Sequence, residues 1–78
     1  MRINNLEGYK QTYTDLEYPY LMKVGNFVKT VGRAKGKIVG FKPRLLGDLI
    51  AIELLTGTLI AAKESQIDHI SNKIEDIL

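Results

Sequence analysis

Short apolar runs separated by glycine constrain the fold of this chain more than any other feature. β-Branched and aromatic residues in runs of this length, bounded by turn residues, are typical of strands. The runs predict strands at residues 27–31, 37–42, 49–55 and 58–63, with turns at 32–36, 44–48 and 56–57. Tight turns between successive strands indicate an antiparallel meander. A meander this short tends to close into a small barrel, because closure removes exposed strand edges.

The N-terminal segment differs from the rest, since all four tyrosines lie within residues 1–20. Leu6, Tyr9, Tyr13 and Leu16 recur at helical spacing, and Pro19 ends the pattern. This spacing predicts a helix over residues 5–17. Its face favours packing of Tyr9 and Tyr13 against the remainder of the chain.

The C-terminal segment has two interpretations. Ser65 with Asp68 three residues later is a capping pattern that opens a helix. In the other interpretation residues 66–70 form a fifth strand and residues 72–78 form a helical tail. Four isoleucines spaced by three, four and three residues favour docking on the same chain over contact with a second copy: Ile67, Ile70, Ile74 and Ile77.

The chain of 78 residues leaves room for one domain with a thin core. We expect a Tyr-rich extension at residues 1–20 and a barrel with a C-terminal tail at residues 21–78. The predicted class is all-β, or β with terminal helices, in a small antiparallel barrel of about five strands.

Charge is unevenly distributed along the sequence. The net charge is +2, but residues 18–47 carry seven basic residues and no acidic one, whereas residues 48–78 carry a net charge of −4. Cations presented on one face gain affinity for phosphates by counterion release. Alternation in a strand puts Lys35 and Lys37 on one face, with Lys29 on the neighbouring strand. The predicted nucleic-acid contacts are Lys29, Arg33, Lys35, Lys37, Lys42 and Arg44.

Part of this basic region resembles a known pattern. Residues 24–41, VGNFVKTVGRAKGKIVGF, resemble the KOW-type opening of SH3-like barrels. The residues that carry the match are Gly25, Val28, Gly32, Lys35, Gly36, Ile38 and Val39. The resemblance implies an SH3-like barrel that contacts RNA, DNA or proteins of the transcription and translation machinery. Asn26 departs from the Asp that is more usual there, and the Tyr-rich segment has no place in the pattern.

The plasmid-encoded trimethoprim-resistant dihydrofolate reductases are a second group of SH3-like barrels, and they have about this length. Their pore carries a Val-Gln-Ile-Tyr motif on a late strand. The corresponding residues 58–62 read TLIAA here, so the reductase activity is not expected.

Nothing in the sequence predicts catalysis, a metal or a cofactor. His69 is the only histidine and there is no cysteine, so the usual zinc ligand sets are missing. Ser65 and Ser71 lie near His69, but neighbours in sequence do not define a catalytic triad. The segment at residues 32–36 is too short for a phosphate-binding Walker loop. We therefore expect a binding module and not an enzyme.

Two classes of partner remain open. The first is DNA or RNA, with Tyr18 and Tyr20 as candidate stacking residues beside Pro19. The second is a larger acidic protein, with Leu45 and Leu46 as an apolar anchor at a loop tip. In that interpretation the chain is a small accessory or inhibitor protein, of bacterial or phage origin. The sequence leaves the choice between a monomer and a small homo-oligomer open.

The expected location is the cytoplasm, of a bacterium or of the host of a phage. The N-terminus has no apolar run typical of a signal peptide, and the absence of cysteine fits a reducing compartment. The longest apolar stretch, residues 49–52, is far shorter than a membrane span.

Overall fold

The computed structural model describes residues 1–11 and 22–78, and in them the regular secondary structure is almost entirely β. Five antiparallel strands form one open sheet in the order β4-β3-β2-β1-β5. This confirms the all-β class predicted from the sequence. The strands are β1 (Phe27–Thr30), β2 (Lys35–Lys42), β3 (Leu49–Leu54), β4 (Leu59–Lys63) and β5 (Ile67–Ser71).

The core lies on the inner face of the sheet, to which alternate residues of β1 point, whereas four consecutive residues of β3, at positions 49–52, are all buried. Val28, Ile38 and Ile52 are completely buried, and Phe41 is nearly so. Ile38 pairs with Ile52 in the β2–β3 ladder, so two of these side chains lie side by side. Burying large aliphatic side chains is worth about 1.5–3 kcal/mol each, which makes this face the main source of stability.

A bulge in β2 changes the strand halfway along. The β2–β3 register shifts between Ile38 and Gly40, so that Val39 is the extra residue. A bulge bends a strand and increases its twist. Only the first part of β2, Lys35–Lys37, pairs with β1, because β1 begins at Phe27, opposite Lys37.

The first residues of the chain pair with the sheet and do not form the start of a helix. The Ile3 N–H donates to the Leu59 carbonyl (3.0 Å), which covers the outer edge of β4. Further on, Lys10 and Phe41 exchange two main-chain hydrogen bonds of 2.7 and 2.8 Å. The predicted helix is therefore wrong over residues 5–11, where Gly8 has a φ of +83° and the main chain bonds to β2 instead. The remainder of that prediction, residues 12–17, lies outside the described residues.

The C-terminal segment follows the strand interpretation. β5 pairs with the edge of β1 that β2 leaves free, and a helix from Ser65 would have left that edge of β1 open. The helical tail reduces to one 3₁₀ turn, Ile74–Asp76. Of the isoleucine stripe, Ile67 and Ile70 pack against the core and Ile77 is buried. Only Ile74 is appreciably exposed, at 38%.

Candidate nucleic-acid interface

The turn between β1 and β2 presents Arg33 to solvent. Thr30, itself buried, holds this turn in place: the Arg33 N–H donates to its carbonyl (2.9 Å), and the Ala34 N–H donates to its Oγ1 (3.1 Å). Arg33 has a φ of +68°, a left-handed conformation that is uncommon for residues other than glycine. The sequence thus places a long cation at a position where the backbone favours glycine.

Three lysines share the outer face of the two strands that leave this turn. Lys29 lies directly opposite Lys35 in the β1–β2 ladder, and Lys37 lies two residues further along β2. Val28 and Gly36, which alternate with them, are buried. The predicted grouping of these lysines agrees with the geometry. We call Lys29, Arg33, Lys35 and Lys37 the hairpin cluster.

An open cleft of about 520 Å³ lies at the turn end of the hairpin cluster. Its lining residues are Lys29, Thr30, Val31, Arg33, Lys35 and Asp68. Three cations therefore face one concave surface, together with the exposed apolar side chain of Val31. Such a cleft matches an anionic group with some apolar surface beside it.

The fold brings two carboxylates to the hairpin cluster, although the sequence around it has none. Glu53 of β3 lies opposite Lys37, and Asp68 lines the cleft. Four cations and two carboxylates leave this part of the surface with a net charge of +2. Among the described residues, none of the four cations has a carboxylate oxygen within 4.0 Å, so their charges are not neutralised by ion pairs there.

Two of the six predicted contacts lie elsewhere. Lys42 is at the opposite end of β2 from Lys35, a separation of roughly 20 Å at the rise of a β-strand. Its ammonium lies 5.6 Å from the centroid of the Tyr9 ring, a cation–π distance. Arg44 lies in the loop after β2, where its main-chain N–H donates to Asp48 Oδ1 (3.3 Å). Position along the strand already puts Lys42 and Arg44 at the far end of β2 from Lys35, and the structure agrees with this placement.

The loop between β2 and β3 exposes Leu45 and Leu46 at its tip. Leu45 is fully exposed, at 101%, and Leu46 is 83% exposed. Both are therefore placed where the anchor hypothesis requires. The candidate stacking residues Tyr18 and Tyr20 lie outside the described residues.

Two residues on the outer face escaped the sequence prediction. Phe27 lies two residues before Lys29 in β1 and opposite Lys37, and His69 of β5 lies opposite Lys29. Alternation in residues 27–30 puts Phe27 on the same face as Lys29, so a signal for its position is present in the sequence. His69 could not be located, because its position depends on the long-range pairing of β5.

The described residues hold no group of three or more His, Asp or Glu side chains arranged for a metal ion. Within the same residues, no helix has the length and apolar character needed to cross a bilayer. Comparison of the chain with protein-family models, with curated proteins and with solved structures finds no match.

Proposed function

We propose that this protein is a non-catalytic nucleic-acid-binding module and that the hairpin cluster is its phosphate-contacting surface. The observation that carries the proposal is the direct opposition of Lys29 and Lys35 beside Arg33. Like charges that face each other across a ladder destabilise a sheet. An anion bound between them removes that repulsion, so the arrangement favours a ligand with negative charge.

A polyanion fits the surface better than a single small anion. The cleft is open to solvent at one end of β2, and Lys42 and Arg44 carry positive charge at the other end. A nucleic-acid strand advances about 3.4 Å per phosphate in a helix. A ligand of roughly six nucleotides therefore spans both ends of β2.

Binding of this kind does not read sequence. Lysine and arginine contacts to phosphates fix position and orientation, whereas base edges carry the sequence information. The proposal therefore predicts similar affinities for oligonucleotides of different sequence. We also propose that the protein acts in the cytoplasm.

The finer fold description in this proposal is an SH3-like barrel of the KOW type. Two features of the N-terminal segment, which is outside the KOW pattern, support closure of the sheet into a barrel. Residues 1–3 run along the outer edge of β4, and Lys10 pairs with Phe41 of β2, beyond Lys37, where the pairing of β2 with β1 stops. Residues 4–9 connect these two positions, and pairing along this connection would close the sheet into a barrel.

The test is fluorescence anisotropy with labelled DNA and RNA, single-stranded and duplex, titrated at several salt concentrations. We expect Lys35→Glu/Lys37→Glu to weaken binding at least tenfold. The salt dependence, log K against log salt, should become shallower by about 1.4 to 1.8 for two lost phosphate contacts. The matched control is Lys63→Glu/Lys73→Glu, which changes net charge equally outside the cluster.

The control separates local contact from general attraction. Binding by the control variant should stay within about threefold of the native protein, with its salt slope unchanged. Equal weakening by both double variants would overturn the proposal, as would the absence of binding at low salt.

A second candidate function rests on the exposure of Leu45 and Leu46. Exposed leucines between Arg44 and Asp48 would anchor the protein on a larger acidic partner, with the basic surface meeting its carboxylates. Leu45→Ser/Leu46→Ser should leave folding unchanged, because both side chains are exposed. A partner that remains bound after nuclease treatment and is lost with this variant would favour this function over the first.

A further inference from the structure

Phe27 is the one phenylalanine, tyrosine or tryptophan among the residues paired with the hairpin cluster in the described ladders. Val28 and Thr30 point to the core and are buried, while Phe27 and Lys29 alternate with them and are half-buried. A phenylalanine in a chain this short would normally join the core, as Phe41 does. Phe27 instead leaves part of its surface on the outer face.

Charged and polar residues occupy the positions next to Phe27. Lys37 is directly opposite on β2, Ser71 is directly opposite on β5, and Lys29 is two residues along β1. Directly opposite residues in an antiparallel ladder have Cα atoms about 4.5–5.5 Å apart. The ring thus has an ammonium-bearing side chain beside it in two directions along the sheet.

We propose that Phe27 is a stacking platform and that the ligand of this surface is a single-stranded polynucleotide. This inference rests on the proposed function, because the lysines must hold the phosphates for the ring to meet a base. Sequence-tolerant binding of single strands combines cations that follow the backbone with aromatic rings on which bases stack. Phe27 with Lys29 and Lys37 supplies both elements on adjacent positions.

Duplexes are disfavoured by the same geometry. In a duplex the faces of internal bases are covered by their neighbours, so a ring on a flat sheet face meets only sugar and phosphate. Phe27 has no hydrogen-bonding group with which to read a groove edge. The lysines still attract duplex phosphates, so duplex binding remains but lacks the contribution of the ring.

The test uses Phe27→Leu, which keeps an apolar side chain but removes the aromatic face, and Phe27→Tyr, which keeps it. The probe is an oligothymidylate of about 12 nucleotides, within the usual site size, beside a duplex of equal length. The native protein should bind the single strand at least tenfold more tightly than the duplex. Phe27→Leu should lose about five- to tenfold affinity for the single strand, with its salt slope and duplex affinity unchanged. Phe27→Tyr should stay within about twofold.

An NMR titration gives a readout that a purely structural role would not produce. Stacking on a base should shift the ring protons of Phe27 upfield when oligothymidylate is added, but not when the duplex is added. Denaturation curves of both variants establish that they are folded. If Phe27→Leu does not fold, the ring shift and the Phe27→Tyr affinity decide.

Failure of this inference is distinguishable from failure of the proposed function. Native single-strand affinity in folded Phe27→Leu, or unshifted ring protons, would overturn the stacking platform while Lys35→Glu/Lys37→Glu still weakens binding. Native affinity in the double lysine variant would overturn the proposed function itself.

Discussion

Gly36 shows how closely two strands approach at the scale of a single residue. A Cβ atom at this position would clash with the Glu53 carbonyl oxygen and lie 2.8 Å from Cγ2 of Ile52. Both neighbours belong to β3, so relief would require movement of a core strand. We expect Gly36→Ala to lower the free energy of unfolding by about 2 kcal/mol. Urea denaturation measures this difference.

Gly32 provides the matched control for this substitution. It lies in the turn before Arg33, and a Cβ there would be 3.8 Å from Thr30 Oγ1, an ordinary contact. Gly32→Ala should change the free energy of unfolding by no more than about 0.5 kcal/mol. Equal free energies of unfolding in the two variants would contradict a steric clash with β3 at Gly36.

The sequence predicted the turn at residues 32–36 but not the reason why position 36 requires glycine. It placed this glycine at the end of a turn at residues 32–36, since glycine is the usual sign of a turn. In the structure β2 already includes Gly36, and glycine is needed because of β3. A glycine required by a neighbouring strand looks the same in sequence as one required by its own dihedral angles.

At the scale of strands, Lys35 and Lys37 have opposite electrostatic environments. Lys35 faces Lys29, whereas Lys37 faces Glu53. Lys35→Glu should therefore raise the free energy of unfolding by a few tenths of a kcal/mol at low salt, and Lys37→Glu should lower it similarly. Both effects should shrink in high salt, because these side chains are exposed to solvent to a considerable degree.

Paired denaturation and binding measurements on these two single variants check the prediction. Both variants should bind oligonucleotides less tightly, although only Lys37→Glu loses stability. A gain in stability together with a loss of binding in Lys35→Glu indicates that the lysine pair is retained for its ligand. Destabilisation by Lys35→Glu at low salt would contradict the opposed-lysine geometry.

Strand positions followed from the sequence because alternation and turns are local signals. The prediction of residues 49–55 differs from β3 (Leu49–Leu54) by one residue at one end. The long-range pairings were not accessible in this way. The bond between Ile3 and Leu59 and the β1–β5 ladder join residues far apart in sequence, and no local pattern encodes them.

For the whole molecule, the candidate site shows the limit of charge counting along the sequence. The block at residues 18–47 contains no acidic residue, yet folding brings Glu53 and Asp68 to the hairpin cluster. Lys42 lies at the other end of β2, as its place in the sequence indicates. Local alternation correctly grouped Lys29, Lys35 and Lys37, whereas the composition of the surface depended on which strands became neighbours.

The burial of Ile77 makes the C-terminal end part of the core structure of the molecule. Its side chain is 1% exposed within a single chain, so no second copy is needed to cover it. Ile77→Ala should lower the free energy of unfolding by about 2–4 kcal/mol, because it leaves a cavity. Ile74→Ala, at a side chain 38% exposed, should cost less than about 1 kcal/mol.

Urea denaturation at two protein concentrations gives both values, and concentration-independent midpoints are expected for docking within one chain. A midpoint that rises with concentration, and that loses this dependence in Ile77→Ala, would instead assign the isoleucine to a contact between copies.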